Sequence, residues 1–248
     1  VRRTPAALAV LVVTLTAAAF CLLLAPGPTA TAAPAPATET RRAGTVRLTS
    51  YATLPAGNAS ICEGDAYGNA VLVRGPVSDT ADLDLTVGGE REPITVPCAL
   101  ASLPDRPTWS CSVHLYWDDG TLAVPEADRL AEQARRWLDD GSAVVLGGDF
   151  NHSPRTATPS RFYLAERGDG AHGDFTESDE SDPEFFDPAV CPPATTSACR
   201  SGETTFGAKK LDYLFFSAPH FRAASADALP LDTAVSDHNR LRVSATAN

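Results

Sequence analysis

Ala143-Val144-Val145-Leu146-Gly147-Gly148-Asp149-Phe150-Asn151 is the stretch on which the reading of this chain turns. Four aliphatic residues in a row suit a central strand. The two glycines that follow let the backbone turn sharply, which places Asp149 and Asn151 at the edge of a sheet. A carboxylate and an amide converge there, although a Gly-Asp turn whose Asn caps the next segment would give the same letters.

Outward on the N-terminal side, Leu130, Ala134, Trp137 and Leu138 recur at helical spacing with charged residues opposite. Pro125 suits a first helical position, and Gly141 ends the helix. Before it, Thr108 to Tyr116 alternates polar and apolar side chains as a half-buried strand does. Strand, helix, strand is therefore the local order. Leu211 to Phe216 and Leu241 to Ser244 are further strand candidates, whereas Asp169 to Ser201 is acidic, Pro-rich and aperiodic and reads as a long loop. Mixed strands and helices indicate an α/β or α+β domain.

Arg2 and Arg3, the apolar run Ala6 to Ala25, and the small residues Ala30-Thr31-Ala32 predict a secretory signal over residues 1–33. A Pro/Ala/Thr-rich linker over 34–44 and one domain over 45–248 would follow. The alternative is an uncleaved N-terminal anchor; either way the domain is expected outside the cell, with no stable membrane span in the mature chain, and as a monomer. Without residues 1–33 the chain carries 18 basic against 31 acidic side chains, a formal charge of −13. An acidic surface repels phosphate backbones, so the chain is a poor general polyanion binder, a nucleic-acid substrate would need metal ions or a local arginine cluster to compensate, and small phosphoesters are weakly favoured.

The mature chain keeps five cysteines, Cys62, Cys98, Cys111, Cys191 and Cys199. Cys98 with Cys111, and Cys191 with Cys199, each close a Pro-containing loop and are the expected disulfides, leaving Cys62 without a partner. No pair has the Cys-x-x-Cys spacing of a structural zinc site.

Three further segments carry residues that can do chemistry. Ser112-Val113-His114-Leu115 ends a strand with an imidazole, which alone is more often structural than functional. Lys210-Leu211-Asp212-Tyr213-Leu214-Phe215 puts an acid on an apolar strand, where an unpaired carboxylate is costly. Ser236-Asp237-His238 sets a carboxylate beside an imidazole, and His238 is the natural partner for Asp212, since donation from its second nitrogen would fix the tautomer. Tyr67-Gly68-Asn69-Ala70-Val71-Leu72-Val73-Arg74 opens with a turn and enters an apolar strand.

In this order the five segments resemble the endonuclease/exonuclease/phosphatase superfamily, over about residues 60 to 245. The resemblance implies a four-layer α/β/β/α sandwich of the deoxyribonuclease I type, two mixed sheets face to face with helices outside. It implies a metal-dependent phosphoester hydrolase, which the signal segment makes a secreted one, with Mg2+ or Mn2+ as the ion because carboxylate and amide oxygens are hard ligands. By that resemblance His114 contacts the scissile phosphate or protonates a leaving group, Asp149 activates the attacking water, and Asn151 holds a phosphate oxygen. Asp212 orients His238, which stabilises charge on the phosphate or acts as base, and Asp237 binds metal. The substrate stays open among nucleic acid, a phospholipid head group and a sugar phosphate.

The chain departs from the family pattern near its start. Members have a strand ending in asparagine and a later strand ending in Gln-Glu. Here Val46 to Tyr51 is followed by Ala52, and the fourteen residues before Tyr67 are too few for a strand-helix-strand unit. Glu63 is a poor substitute because it lies where a loop is expected. The sheet is therefore expected to be depleted near its N-terminus, and an inactive relic acting as an extracellular binding protein is the alternative function. A zinc site from His114, Asp149, His152 and His238 lacks the usual ligand spacing.

Overall fold

The computed structural model describes residues 68–73, 76–103, 106–182, 200–233 and 236–248. Eight strands and one long helix organise them: β1 (Val77–Asp84), β2 (Thr95–Leu103), β3 (Arg106–His114), α1 (Gly120–Asp139), β4 (Ala143–Asp149), β5 (Phe175–Glu177), β6 (Asp212–Ser217), β7 (Phe221–Ala228) and β8 (Leu241–Ala247). The first six strands in spatial order, β1-β2-β3-β4-β6-β5, make one mixed sheet in which only β3 and β4 run parallel. Strands β7 and β8 pair antiparallel as a second sheet.

The run Ala143 to Leu146 is apolar throughout because both faces of β4 are covered. Val144 and Leu146 point to a core shared with α1, while Ala143 and Val145 point to a core shared with the small sheet. Strand β6 divides in the same way, Tyr213 and Phe215 to the helix side and Leu214 and Phe216 to Phe221, Ala226, Leu241 and Val243. Helix, large sheet and small sheet thus form three successive layers of the expected α/β sandwich among the described residues.

Helix α1 buries Ala123, Ala127, Leu130, Ala134 and Trp137 along one face, and Trp137 stacks on Trp109 of β3 at a centroid distance of 4.4 Å. It starts five residues before the position expected from Pro125. Asp119 is the N-cap, its carboxylate accepting the Thr121 N–H at 2.8 Å. Pro125 lies inside the helix, where its missing N–H leaves only the carbonyl four residues back, on exposed Thr121, without an intrahelical partner.

Two other expectations are corrected. The apolar run after Gly68 carries no strand ladder over residues 68–73; Val71 is buried and Asn69 Nδ2 donates to the Thr95 carbonyl at the start of β2 at 3.2 Å, a side-chain bond in place of a backbone ladder. The acidic segment after Asp169 is not all loop. Phe175–Glu177 adds an edge strand to β6, and a 3-10 turn follows over Ser178–Ser181, closed by a capping box between Glu177 and Glu180. A three-residue strand is too short to show a period.

Cys98 and Cys111 are directly opposite in the β2–β3 ladder and form a fully buried disulfide. Replacing both by alanine is expected to lower unfolding free energy by about 3 kcal/mol, the loop-closure value for a bridge of this span. Denaturant titration of the oxidised double variant checks this, and a midpoint equal to the parent's would contradict it. The Cys191–Cys199 pairing, Cys62, Glu63, the strand at Val46 to Tyr51 and the signal and linker segments lie outside the described residues.

Candidate active site

At one edge of the large sheet β3 and β4 finish and β6 begins, each with an ionisable residue. The parallel β3–β4 register sets His114 against Asp149, and the antiparallel β4–β6 register sets Asp149 against Asp212. The turn before β8 brings His238 over them. Its Nδ1 donates to Asp212 Oδ2 at 2.7 Å, and its Nε2 lies 3.8 Å from Asp149 Oδ2. His114 Nε2 stands 3.9 Å from the same Asp149 oxygen. The segments met separately in the sequence therefore converge on one carboxylate.

Asn151 has a positive φ of 57°, a conformation asparagine tolerates. Its N–H donates to Asp149 Oδ1 at 2.7 Å and its Nδ2 to the Leu115 carbonyl at 2.8 Å, which fixes the Asp149 carboxylate from below and leaves one amide hydrogen for another acceptor. Asp237 is exposed on the rim of the cleft. That cleft, about 480 Å³ in volume, is lined by His114, Asp149, Asn151, Asp237 and His238. His152 is turned away, its Nδ1 against the Phe150 carbonyl at 2.9 Å, so the four-residue zinc set is not assembled.

Burial sets the electrostatics. It pushes the Asp149 carboxyl up to about 7, and the charge of Asp212 adds to the push. It pushes His114 down to about 4. On His238 burial acts downward too, but the hydrogen bond to Asp212 and the negative charges around it prevail and hold the imidazole above its ordinary value. Asp149, Asp212 and His238 each offer a ligand atom, all within 4.8 Å of one another. Asp212 Oδ2 is engaged with His238 and Asp149 Oδ1 with the Asn151 N–H, and Asp237 stands on the rim of the same cleft. Two carboxylates and an imidazole that converge at one edge of a cleft suit a divalent ion.

Sequence reasoning missed what holds this edge in place. Buried Thr205 accepts the N–H groups of Leu211 and Asp212 through Oγ1 at 3.0 Å each, and its carbonyl accepts the Asn239 N–H at 2.7 Å. One residue thus ties the Asp212 strand to the turn that bears His238. Behind it, buried Lys210 pairs with Asp179 at 2.5 Å and Glu177 at 3.3 Å, and Arg167 with Glu180 at 2.7 Å. Lys210 lies 31 residues from Asp179, so no local signal in the sequence announces this pair.

The sequence model of the Endonuclease/Exonuclease/phosphatase family matches residues 22–238. No curated protein matches the chain by sequence. Among solved structures it is similar to a mannosyl-6-phosphatase of Bacteroides thetaiotaomicron, with 15% identity over 74% of this chain and 73% of that one and a TM-score of 0.52. It is also similar to the human Nocturnin catalytic domain with bound sulfate (15% identity, 83% and 72% covered, TM-score 0.54) and to an endonuclease/exonuclease/phosphatase family protein of Leptotrichia buccalis (13%, 82% and 71%, TM-score 0.54). At these identities the likeness is one of fold.

Proposed function

We propose that this chain, which belongs to the endonuclease/exonuclease/phosphatase family, is an exported, metal-dependent phosphoester hydrolase. The observation that carries the reading is the convergence of Asp149, Asp212, His238 and His114 at one sheet edge, within a cleft. A divalent ion such as Mg2+ or Mn2+, held by Asp237 on the rim of the cleft beside the Asp149, Asp212 and His238 cluster, would supply neutralisation of phosphate charge and orientation of the substrate.

The side chains then divide the work. Asp149, with a proton affinity near neutral, is suited to take a proton from the attacking water. Asp212 accepts from His238 Nδ1 at 2.7 Å and favours its charged form, so the role of His238 is to stabilise charge on the phosphate oxygens. His114, pushed down to about 4, is neutral at physiological pH; it serves as an N–H donor to the phosphate rather than as the acid for the leaving group. Asn151 has an amide hydrogen to spare for a phosphate oxygen.

Export is part of this proposal, and the buried Cys98–Cys111 bridge supports it because such bridges persist in oxidising compartments. The test of function is hydrolysis of a generic phosphodiester, a phosphomonoester and plasmid DNA by the purified chain with Mg2+ or Mn2+. Turnover that a chelator abolishes is expected. A folded protein inert toward all three would favour a binding protein that has kept the fold.

A further inference from the structure

Beyond the reacting cluster the cleft wall is aromatic. Trp117 is 55% exposed and lines the cleft, whereas the other two tryptophans, Trp109 and Trp137, are buried against each other. An indole left in water at the mouth of a site covers no core and is available to a ligand. Trp117 is also held: the Arg91 guanidinium lies over its ring at 5.7 Å and is itself paired with Asp118 at 2.6 Å.

A second wall is built by a tight turn. Phe206 and Lys209 exchange both backbone hydrogen bonds, at 3.0 and 2.9 Å, across Gly207, whose φ of +55° the turn requires. This sets the two side chains next to each other on the cleft. Phe206 is 37% exposed and lies against His238 with ring centroids 4.6 Å apart. The charge on the walls is uneven. Lys209 is the one lysine or arginine among the described residues that line the cleft, while Glu92 joins Asp237 on the acidic side. A polynucleotide track needs several such cations to replace released counterions, and the described lining offers a single one. One cation beside the reacting cluster suits one phosphate. Carboxylates and an exposed indole beyond it suit a neutral ring whose hydroxyls donate and whose C–H face stacks.

Resting on the hydrolase reading above, we propose that Trp117, with Glu92 and the Phe206–Lys209 turn, forms a subsite for the ring of a sugar phosphate, and that the substrate class is a hexose monophosphate rather than a nucleic acid. Lys209 takes the phosphate, and Trp117 takes the sugar face.

Two readouts on the full chain separate this proposal from its premise. The first is kcat and KM for glucose 6-phosphate and mannose 6-phosphate, glycerol phosphate and a short oligonucleotide, in the parent and in Trp117→Ala and Trp117→Phe. The expected result is that Trp117→Ala raises KM for the hexose phosphates about tenfold more than for glycerol phosphate, a difference of ~1.4 kcal/mol, and that phenylalanine restores part of it. The second is quenching of tryptophan fluorescence by the same hexose phosphates in Asp149→Asn, lost in the variant that also lacks Trp117. Quenching without turnover would keep the subsite and remove the hydrolase. Turnover with equal Trp117→Ala effects on all substrates, or a preference for the oligonucleotide, would overturn the subsite and leave the hydrolase standing. A chain that neither turns over nor is quenched by hexose phosphates overturns both.

Discussion

Asp149→Asn is expected to lower kcat for phosphoester hydrolysis by about a thousandfold, the scale of a lost general base, while making the metal-free protein more stable at pH 8. The first half follows from geometry, since the Asp149 carboxylate is the group that both His114 and His238 approach, at 3.9 and 3.8 Å. The second half follows from linkage. Burial raises the carboxyl from 3.8 to about 7. Between those pH values the unfolded chain has lost its proton and the folded chain has kept it, so the folded state loses stability as pH rises, and above about 7 the loss is complete. Asparagine makes no such loss. The gap in thermal midpoint, measured in chelator, should therefore open in favour of the variant from about pH 4 to pH 7 and then stay constant. A variant less stable than the parent at pH 8 would mean that the carboxylate is stabilised in the fold.

Gly148→Ala is expected to prevent folding. Gly148 has φ +147°, and a Cβ there would lie 2.0 Å from the Val113 carbonyl oxygen. That oxygen belongs to the backbone of β3, beside β4 in the parallel ladder, so relief requires parting two central strands. A cost of ~4 kcal/mol or more is of the order reached only by the most disruptive substitutions, and typical domains have 5–15 kcal/mol in all. Far-UV and near-UV circular dichroism of the variant should show loss of native structure or recovery only as insoluble protein. A thermal midpoint within a few degrees of the parent's would contradict the packing described for this edge.

Much of the site was legible in the sequence because strands deliver residues in register. A histidine, an aspartate and a second aspartate at the ends of three apolar runs meet whenever those runs are neighbours, and the cost of burying Asp212 unpaired already pointed to His238. The fold's outer parts were less legible. Pro125 suggested the start of α1, but the N-cap bond of Asp119 is made by a short polar residue in a run of acids, and nothing in Asp118-Asp119 says which of the two will cap. The buried pairs of Glu177, Asp179 and Glu180 with Lys210 and Arg167 read as a solvated acidic loop, since ions go inside only with partners that lie about 30 residues away or on another turn. Thr205 was silent for the same reason: a threonine that accepts two backbone N–H groups looks in sequence like any other.

These buried pairs also show how the fold divides its labour. The cluster around Lys210 is charge-compensated and fixes the start of β6, whereas Asp149 lies against Asp212 with only the imidazoles of His238 and His114, at 3.8 and 3.9 Å, beside it. Weakly compensated charge at a cleft, next to compensated charge behind it, is the pattern of a site that trades stability for chemistry.

The measurement that bears most directly on the central claim is the initial rate of hydrolysis of a chromogenic phosphodiester as Mn2+ is titrated into the parent chain and into Asp149→Asn, with near-UV circular dichroism confirming that both are folded. The account predicts a saturable rise in the parent and a nearly flat line in the variant. A folded parent whose rate does not rise with the metal, or parallel rises in both proteins, would contradict it.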